Sequence, residues 1–215
     1  MTDAAVRGRR IAWAWIGALL IATGVLQLAG SGMLLSSGPA VAGPVIAWGG
    51  YLVFAAALML AAFGWRGRDS LVNGQPAGRI ALVVLAVWTP LVMVGQILLP
   101  YGPDTRELYI GLGYLQPAVA LGASLVAVVA IGRAGVVPSP WHWAPGWGLA
   151  VVAVARAVPE AVAVTPGVTP EALIQAFELA ALVSALVPLL LGVLALVLAQ
   201  PITTREAVQI FPPSS

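Results

Sequence analysis

The chain has 215 residues, of which 60% are hydrophobic and only 8% are charged, and its mean hydropathy is +0.99. An average soluble domain has about 25% charged residues, and a soluble core of this size has no room to bury so much apolar surface. The composition therefore predicts an integral membrane protein in contact with the lipid bilayer.

Several kinds of chemistry are excluded or disfavoured by the residue types that are missing or rare. The chain has no cysteine, so disulfides, iron–sulfur clusters and thiol catalysis are excluded. One histidine, His142, argues against a metal site, and all ten basic residues are arginine, so no lysine can form a Schiff base. The net charge is only +2, and nearly all basic residues lie at predicted helix ends. We therefore expect no cofactor, no metal and no nucleic-acid partner.

Six apolar stretches are long enough to cross a bilayer, whose hydrocarbon core of about 30 Å needs about 20 residues per helix. They cover residues 11–35, 44–63, 80–99, 108–131, 146–164 and 170–200. The segments between them are short and rich in glycine and proline. This pattern predicts an all-α bundle of six transmembrane helices in one domain, 1–200, followed by a short cytoplasmic tail, 201–215. The first stretch is longer than the apolar core of a signal peptide, so we expect it to be a retained helix.

The arginines predict the orientation of these helices. In a six-helix topology, only Arg106 falls in a loop on one side of the membrane. The others outside the apolar stretches fall on the opposite side: Arg7, Arg9, Arg10, Arg66, Arg68, Arg79, Arg133 and Arg205. The positive-inside rule then places both termini in the cytoplasm, in a multi-pass protein of an inner or plasma membrane. The preference for arginine over lysine is typical of a GC-rich bacterial genome.

Beyond their first turns, the last two apolar stretches contain three charged residues. They are Arg156, Glu160 and Glu178, and each charge near mid-membrane costs at least about 2.5 kcal/mol. If the two helices form a hairpin, Arg156 and Glu178 both lie about 12–14 Å from the turn, at 1.5 Å per residue. We therefore expect Arg156 to pair with Glu178, with Glu160, or with both.

Other polar residues are predicted at a similar depth, and together they suggest a polar cavity in the outer half of the bundle. The guanidinium of Arg156 would hold an anionic group of a ligand, and neutral side chains would add hydrogen bonds. The candidate ligand-binding residues are Arg156, Glu160, Glu178, Gln175, Gln116, Gln27 and Tyr51. This set predicts a small-solute binding or transport component, with a small polar or zwitterionic solute as partner.

The same residues allow a structural interpretation, in which the ion pair locks the hairpin and the glutamines join helices. The alternative function is a non-catalytic structural or regulatory subunit of a larger membrane complex. We predict no enzyme, because Arg156 favours ionised carboxylates and so disfavours an acid–base pair; a lipid-modifying enzyme is a third interpretation. In size and helix number the predicted bundle is similar to the substrate-binding subunits of bacterial vitamin importers. That architectural likeness implies partner membrane subunits.

The predicted topology can be tested with a single cysteine, because the native chain has none. An Asp104→Cys variant should react with a membrane-impermeant thiol reagent added from the non-cytoplasmic side, since residue 104 belongs to a predicted outer loop. Labelling of this cysteine only from the cytoplasmic side would show that the orientation is reversed.

Overall fold

The computed structural model describes residues 3–31, 42–65, 70–99, 102, 105–137, 141–163 and 165–200, and these residues contain helices and no β-strand. The helices are α1 (Asp3–Gly30), α2 (Ala42–Phe63), α3 (Pro76–Leu98), α4 (Arg106–Ala134), α5 (Ala144–Ala163) and α6 (Pro170–Ala199). All six are long and apolar enough to cross a membrane, which confirms the predicted number of helices and indicates a multi-pass membrane protein. The predicted tail, 201–215, lies outside the described residues.

Local sequence explains where several helices begin and end. Thr169 caps α6 by accepting a hydrogen bond from the backbone nitrogen of Ala172 at 3.3 Å, and Pro170 occupies the first turn. Helix α4 ends at Ala134 and is followed by the cap residue Gly135, whose φ of 62° is left-handed. Helix α3 begins at Pro76, four residues before the predicted start at 80. The apolar pattern missed this turn because it contains Arg79, whereas proline is favourable in a first turn.

The six helices form a ring that is weakly closed at one seam. Helix α1 packs against both α2 and α6, α3 lies between α2 and α4, and α5 packs on α6. Helices α4 and α5 share only a small contact, which includes Val128 and Gly146: a Cβ placed on Gly146 would lie 3.1 Å from Val128 Cγ1. The order around the ring is therefore α1 to α6, with the α4–α5 seam as its weakest side.

The first and last helices approach each other through glycine. A Cβ placed on Gly17 would lie 2.7 Å from the carbonyl oxygen of Gly192, and one placed on Gly24 would lie 2.6 Å from that of Ala185. Since real Cβ atoms do not approach oxygen so closely, the α1–α6 seam requires glycine at both positions. These contacts also fix the antiparallel register of the two helices.

One end of the ring, which we call the core end, is filled by apolar side chains. Trp13, Ile16, Ala62, Ala127 and Ala195 are buried there, in one cluster with Leu71, Val72 and Val137 from the loops. Ser70 holds the first of these loops in place, because its Oγ donates to the carbonyl oxygen of Ala62 at 2.7 Å. Arg10, Arg79 and Arg133 also lie at this end. The interior is therefore closed at the core end.

The opposite end, which carries the α5–α6 turn at 165–169 and is called the turn end, is packed less tightly. Among the described side chains of residues 106–126 of α4, none is buried, and Pro159 is the one buried side chain described in α5. Helix α4 stays against α3 over its length: Ala130 contacts Gly78 at the core end, and the Tyr109 hydroxyl donates to the Leu99 carbonyl at the turn end. The looser packing toward the turn end thus belongs to the α4–α5 side of the ring.

The glycine contact between α1 and α6 makes a testable prediction. Gly192→Ala should lower the free energy of unfolding by about 1–3 kcal/mol, because the added methyl overpacks against the Gly17 carbonyl. The matched control is Gly122→Ala, since a Cβ at Gly122 has no neighbour within 4 Å. That variant should unfold at the same denaturant concentration as the native protein or higher, because alanine favours helix. Equal stabilities of the two variants in a detergent unfolding titration would contradict the packing described for this seam.

Candidate functional site

Arg156 lies on the side of α5 that faces the interior of the ring. Gly148 of α5 faces α6, since a Cβ there would lie 2.9 Å from Val187 Cγ1, and Gly146 faces α4 through Val128. A helix turns about 100° per residue, so Arg156 lies about 80° from each of these two directions, between them.

We call the side of a helix that faces the buried cluster at the core end the interior side. No described residue of α5 belongs to that cluster, and the interior side of this helix is identified by the contact of Arg156 with Ser184, which lies within about 20° of the core residue Ala195 around α6.

The Arg156 side chain is exposed and makes one hydrogen bond to a described residue. Its Nε donates to Ser184 Oγ at 3.3 Å, and Ser184 Oγ in turn donates to the carbonyl oxygen of Ala180 at 2.7 Å. The two terminal amino groups of the guanidinium have no hydrogen-bond partner within the described part of the chain. Arg156 therefore presents unused donors to the ring interior.

The expected pair of Arg156 with Glu178 is not formed, as no ion pair joins these two residues, both of which the structure describes. Helical side chains tilt toward the N-terminus of their helix. Because α5 and α6 are antiparallel, side chains at equal depth tilt in opposite directions, and Arg156 tilts toward the core end to meet Ser184. Glu178 also lies about 120° around α6 from Ser184.

Glu178 and Gln175 lie off the interior side of α6. Glu178 falls on the stripe that contacts α1 through Ala185 and Gly192, but near the turn end, and it is exposed. Gln175 is exposed and precedes Val193 by five full turns, so it shares the outward direction of that exposed valine. Glu160 follows Arg156 by one turn on the same side of α5, and its side chain lies outside the described residues.

Gln27 lies on the interior side of α1. Gly24 faces α6 and Gly30 faces α2, where a Cβ would lie 3.1 Å from Ala47 Cβ. Gln27 lies between these directions, about 60° from each, and it is half-buried. The buried residues Ile16 and Thr23 share this side, which identifies it as the side that continues from the core.

Gln116 and Tyr51 also lie toward the interior. In α4, Gln116 falls between the direction of Ala130, which faces α3, and that of Val128, which faces α5. Tyr51 of α2 lies within about 20° of the direction of Ala62, a core residue. Both side chains are half-buried. The structure thus brings four of the predicted residues, on four helices, to the ring interior.

Two hydroxyl side chains at the interior were missed by the sequence argument. Ser184 contacts Arg156 directly, and Thr89 of α3 lies two turns from the core residue Leu82 on the same side, with no hydrogen-bond partner among described residues. The next residue back, Trp88, has a buried Nε1 that also lacks a partner. A count of depths that included the tilt of helical side chains would have found Ser184; Thr89 is marked only as a hydroxyl within an apolar run.

A separate groove of about 400 Å³ lies on the other side of α5. It is lined by apolar side chains of α5 and α6, among them Trp147, Val151, Val154, Val158, Leu179 and Val183. None of the predicted ligand-binding residues lines it, so this groove is distinct from the predicted polar cavity. Its lining is instead suited to the bilayer.

Comparison of the chain with models of protein families, with curated proteins and with solved structures finds no match in any of the three. Function is therefore inferred from the placement and chemistry of the residues themselves.

The contact of Arg156 with Ser184 can be tested by a double-mutant cycle. Arg156→Gln and Ser184→Ala should show a coupling energy of about 1 kcal/mol in unfolding titrations, because the two residues share a hydrogen bond. In the control cycle, Arg156→Gln with Glu178→Gln, the losses should add to within about 0.5 kcal/mol, as expected of residues that do not interact. Strong coupling between Arg156 and Glu178, with none between Arg156 and Ser184, would contradict the observed contact and support the ion pair that was predicted from depth.

Proposed function

We propose that this protein is a small-solute binding or transport component of an inner or plasma membrane, with both termini in the cytoplasm. The observation that carries the proposal is the placement of Arg156, which lies on the interior side of α5, is exposed, and has two terminal amino groups without a partner in the described residues. A solute would bind in the ring interior and enter from the turn end.

The cost of a charge in the membrane supports this interpretation. An arginine that faces hydrocarbon is costly, so charged residues of membrane helices generally face water, a partner group or a ligand. Arg156 faces the ring interior, and among the described residues it has one hydrogen-bond partner, which its Nε contacts. Water or a polar solute is therefore needed at its terminal amino groups.

The shape of the ring supports entry from one end. Apolar side chains and the loop residues Leu71, Val72 and Val137 fill the core end, whereas no described side chain of α4 is buried over residues 106–126. With the termini in the cytoplasm, the turn end faces away from the cytoplasm. A solute would reach Arg156 from that side.

The other interior residues suggest the character of the solute. Gln27, Gln116 and Tyr51 can each offer neutral hydrogen bonds from a different helix. Glu160 lies one turn from Arg156 toward the turn end, a position suited to a cationic group. A small polar solute with an anionic group, or a zwitterion, fits this arrangement.

The alternative, a non-catalytic subunit of a larger membrane complex, is favoured by a different observation. Most described side chains of α5 are exposed or half-buried, and its apolar groove faces away from the interior. A partner subunit would cover this surface. The two functions are compatible, because a solute-binding component without its own energy source needs a partner to drive transport.

Native mass spectrometry from a mild detergent tests the proposed function. The native protein should retain a small molecule, and Arg156→Gln should lose it, because the anionic group then lacks its charged donors. Gln175→Ala is the matched control, since Gln175 was predicted to bind but lies on the outward side of α6, and it should retain the molecule. An empty native protein that instead carries a stoichiometric partner subunit would favour the alternative.

A further inference from the structure

The hydrogen bond to Ser184 restricts how the Arg156 guanidinium can bind a ligand. A guanidinium offers two pairs of parallel donors: the two terminal amino groups, called the end-on edge, or Nε with one amino group, called the side-on edge. Because Ser184 Oγ accepts from Nε, the side-on edge is already used. The end-on edge remains available to the interior.

We propose that Ser184 is a positioning residue that holds Arg156 so that its end-on edge binds a single carboxylate, and that the solute is an organic acid or zwitterion carrying that carboxylate. The proposal rests on the proposed function and specifies its substrate class.

Ser184 is well placed to hold the guanidinium. Its hydroxyl proton is committed to the Ala180 carbonyl at 2.7 Å, so its oxygen lone pairs are left to accept from Arg156. Ser184 is half-buried between the buried residues Ala180 and Ala185, which limits the movement of α6 at this point. The acceptor is therefore fixed by the backbone of α6, and it fixes Arg156 in turn.

The balance of charge favours a carboxylate over a phosphate. The chain has no lysine, and Arg79 and Arg133 lie at the core end. Arg106, at the start of α4, lies about 18 Å along the axis from the level of Arg156, with Val128 set opposite Gly146. Arg156 would therefore neutralise one negative charge, and a dianion would leave the second uncompensated in a medium of low dielectric.

Phenylglyoxal tests this proposal without a known solute, because it reacts with the terminal amino groups of arginine. The full-length protein in detergent is treated with the reagent, and the modified fraction of Arg156 is measured by peptide mass spectrometry. Arg133, which is exposed at the core end, serves as the control within the same sample. The probes are acetate, its neutral counterpart acetamide, and inorganic phosphate.

We expect acetate to slow the modification of Arg156 and to leave Arg133 unchanged, and we expect acetamide and phosphate to protect neither. Ser184→Ala should raise the acetate concentration needed for half-protection about tenfold, the loss expected for one hydrogen bond to a charged group. Ser184→Thr keeps the hydroxyl and should restore protection. If the folded Ser184→Ala variant needs no more acetate than the native protein for half-protection of Arg156, the positioning role of Ser184 is overturned.

The remaining outcomes separate this proposal from the proposed function. If phosphate protects and acetate does not, the carboxylate assignment is overturned while a solute site at Arg156 stands. If Arg156 of the folded protein does not react with phenylglyoxal at all, its amino groups are inaccessible, and both the carboxylate site and the solute-binding function are contradicted.

Discussion

The close approach of the first and last helices is the constraint on which the rest of the structure depends. Gly17 and Gly192 bring α1 and α6 so near that a single methyl group at either residue would meet the other's carbonyl oxygen. Without this seam, the six helices would form a row in which each packs only on its neighbours in sequence. With it, the row bends into a ring, and each helix acquires an interior side as well as an outer side. Small residues allow helix backbones to approach closely. Membrane helices depend on such close packing because lipid provides no hydrophobic force that drives helices together.

The ring gives Arg156 of α5 a place on its interior side. One side of α5 carries the apolar groove, which includes Val151 and Val154, and the opposite side carries Arg156, which reaches across to Ser184. This separation follows from helical geometry, because residues two apart, such as Val154 and Arg156, point about 200° apart. The same helix thereby presents an apolar surface to the outside of the ring and a guanidinium to the interior.

Much of the fold could be predicted from sequence, because the length and hydropathy of a membrane helix are local properties. The six helices were predicted from apolar stretches alone, and the predicted start of the last stretch, at residue 170, coincides with the start of α6. The order of helices around the ring was not predicted, because it depends on non-local contacts such as Gly17 with Gly192. The glycines of α1 and α6 suggest only that another helix packs closely against each of these two.

The candidate site was predicted in part for the same reason. Depth in the membrane can be counted along the chain, and it selected Arg156, Gln27 and Gln116, which the structure brings to interior sides. The direction around the helix and the tilt of the side chain cannot be read from depth. Glu178 therefore appeared to be a partner of Arg156, whereas six residues further along α6, Ser184 has both the required direction and the required tilt.

The central claim is that the ring has a polar interior that is open at the turn end. The most direct test places one cysteine in each variant, at an interior position or at a nearby exposed apolar position. Each variant is reconstituted into vesicles, and its reaction with a charged, membrane-impermeant thiol reagent is measured. Thr89 and Gln116 lie on interior sides, while Val87 and Leu115 lie at nearly the same depths on exposed apolar sides. We predict that Thr89→Cys and Gln116→Cys react with reagent added at the turn end, and that Val87→Cys and Leu115→Cys remain unmodified because they face lipid. Equal reactivity within each pair, or protection of both interior cysteines, would contradict a polar interior that is accessible from the turn end.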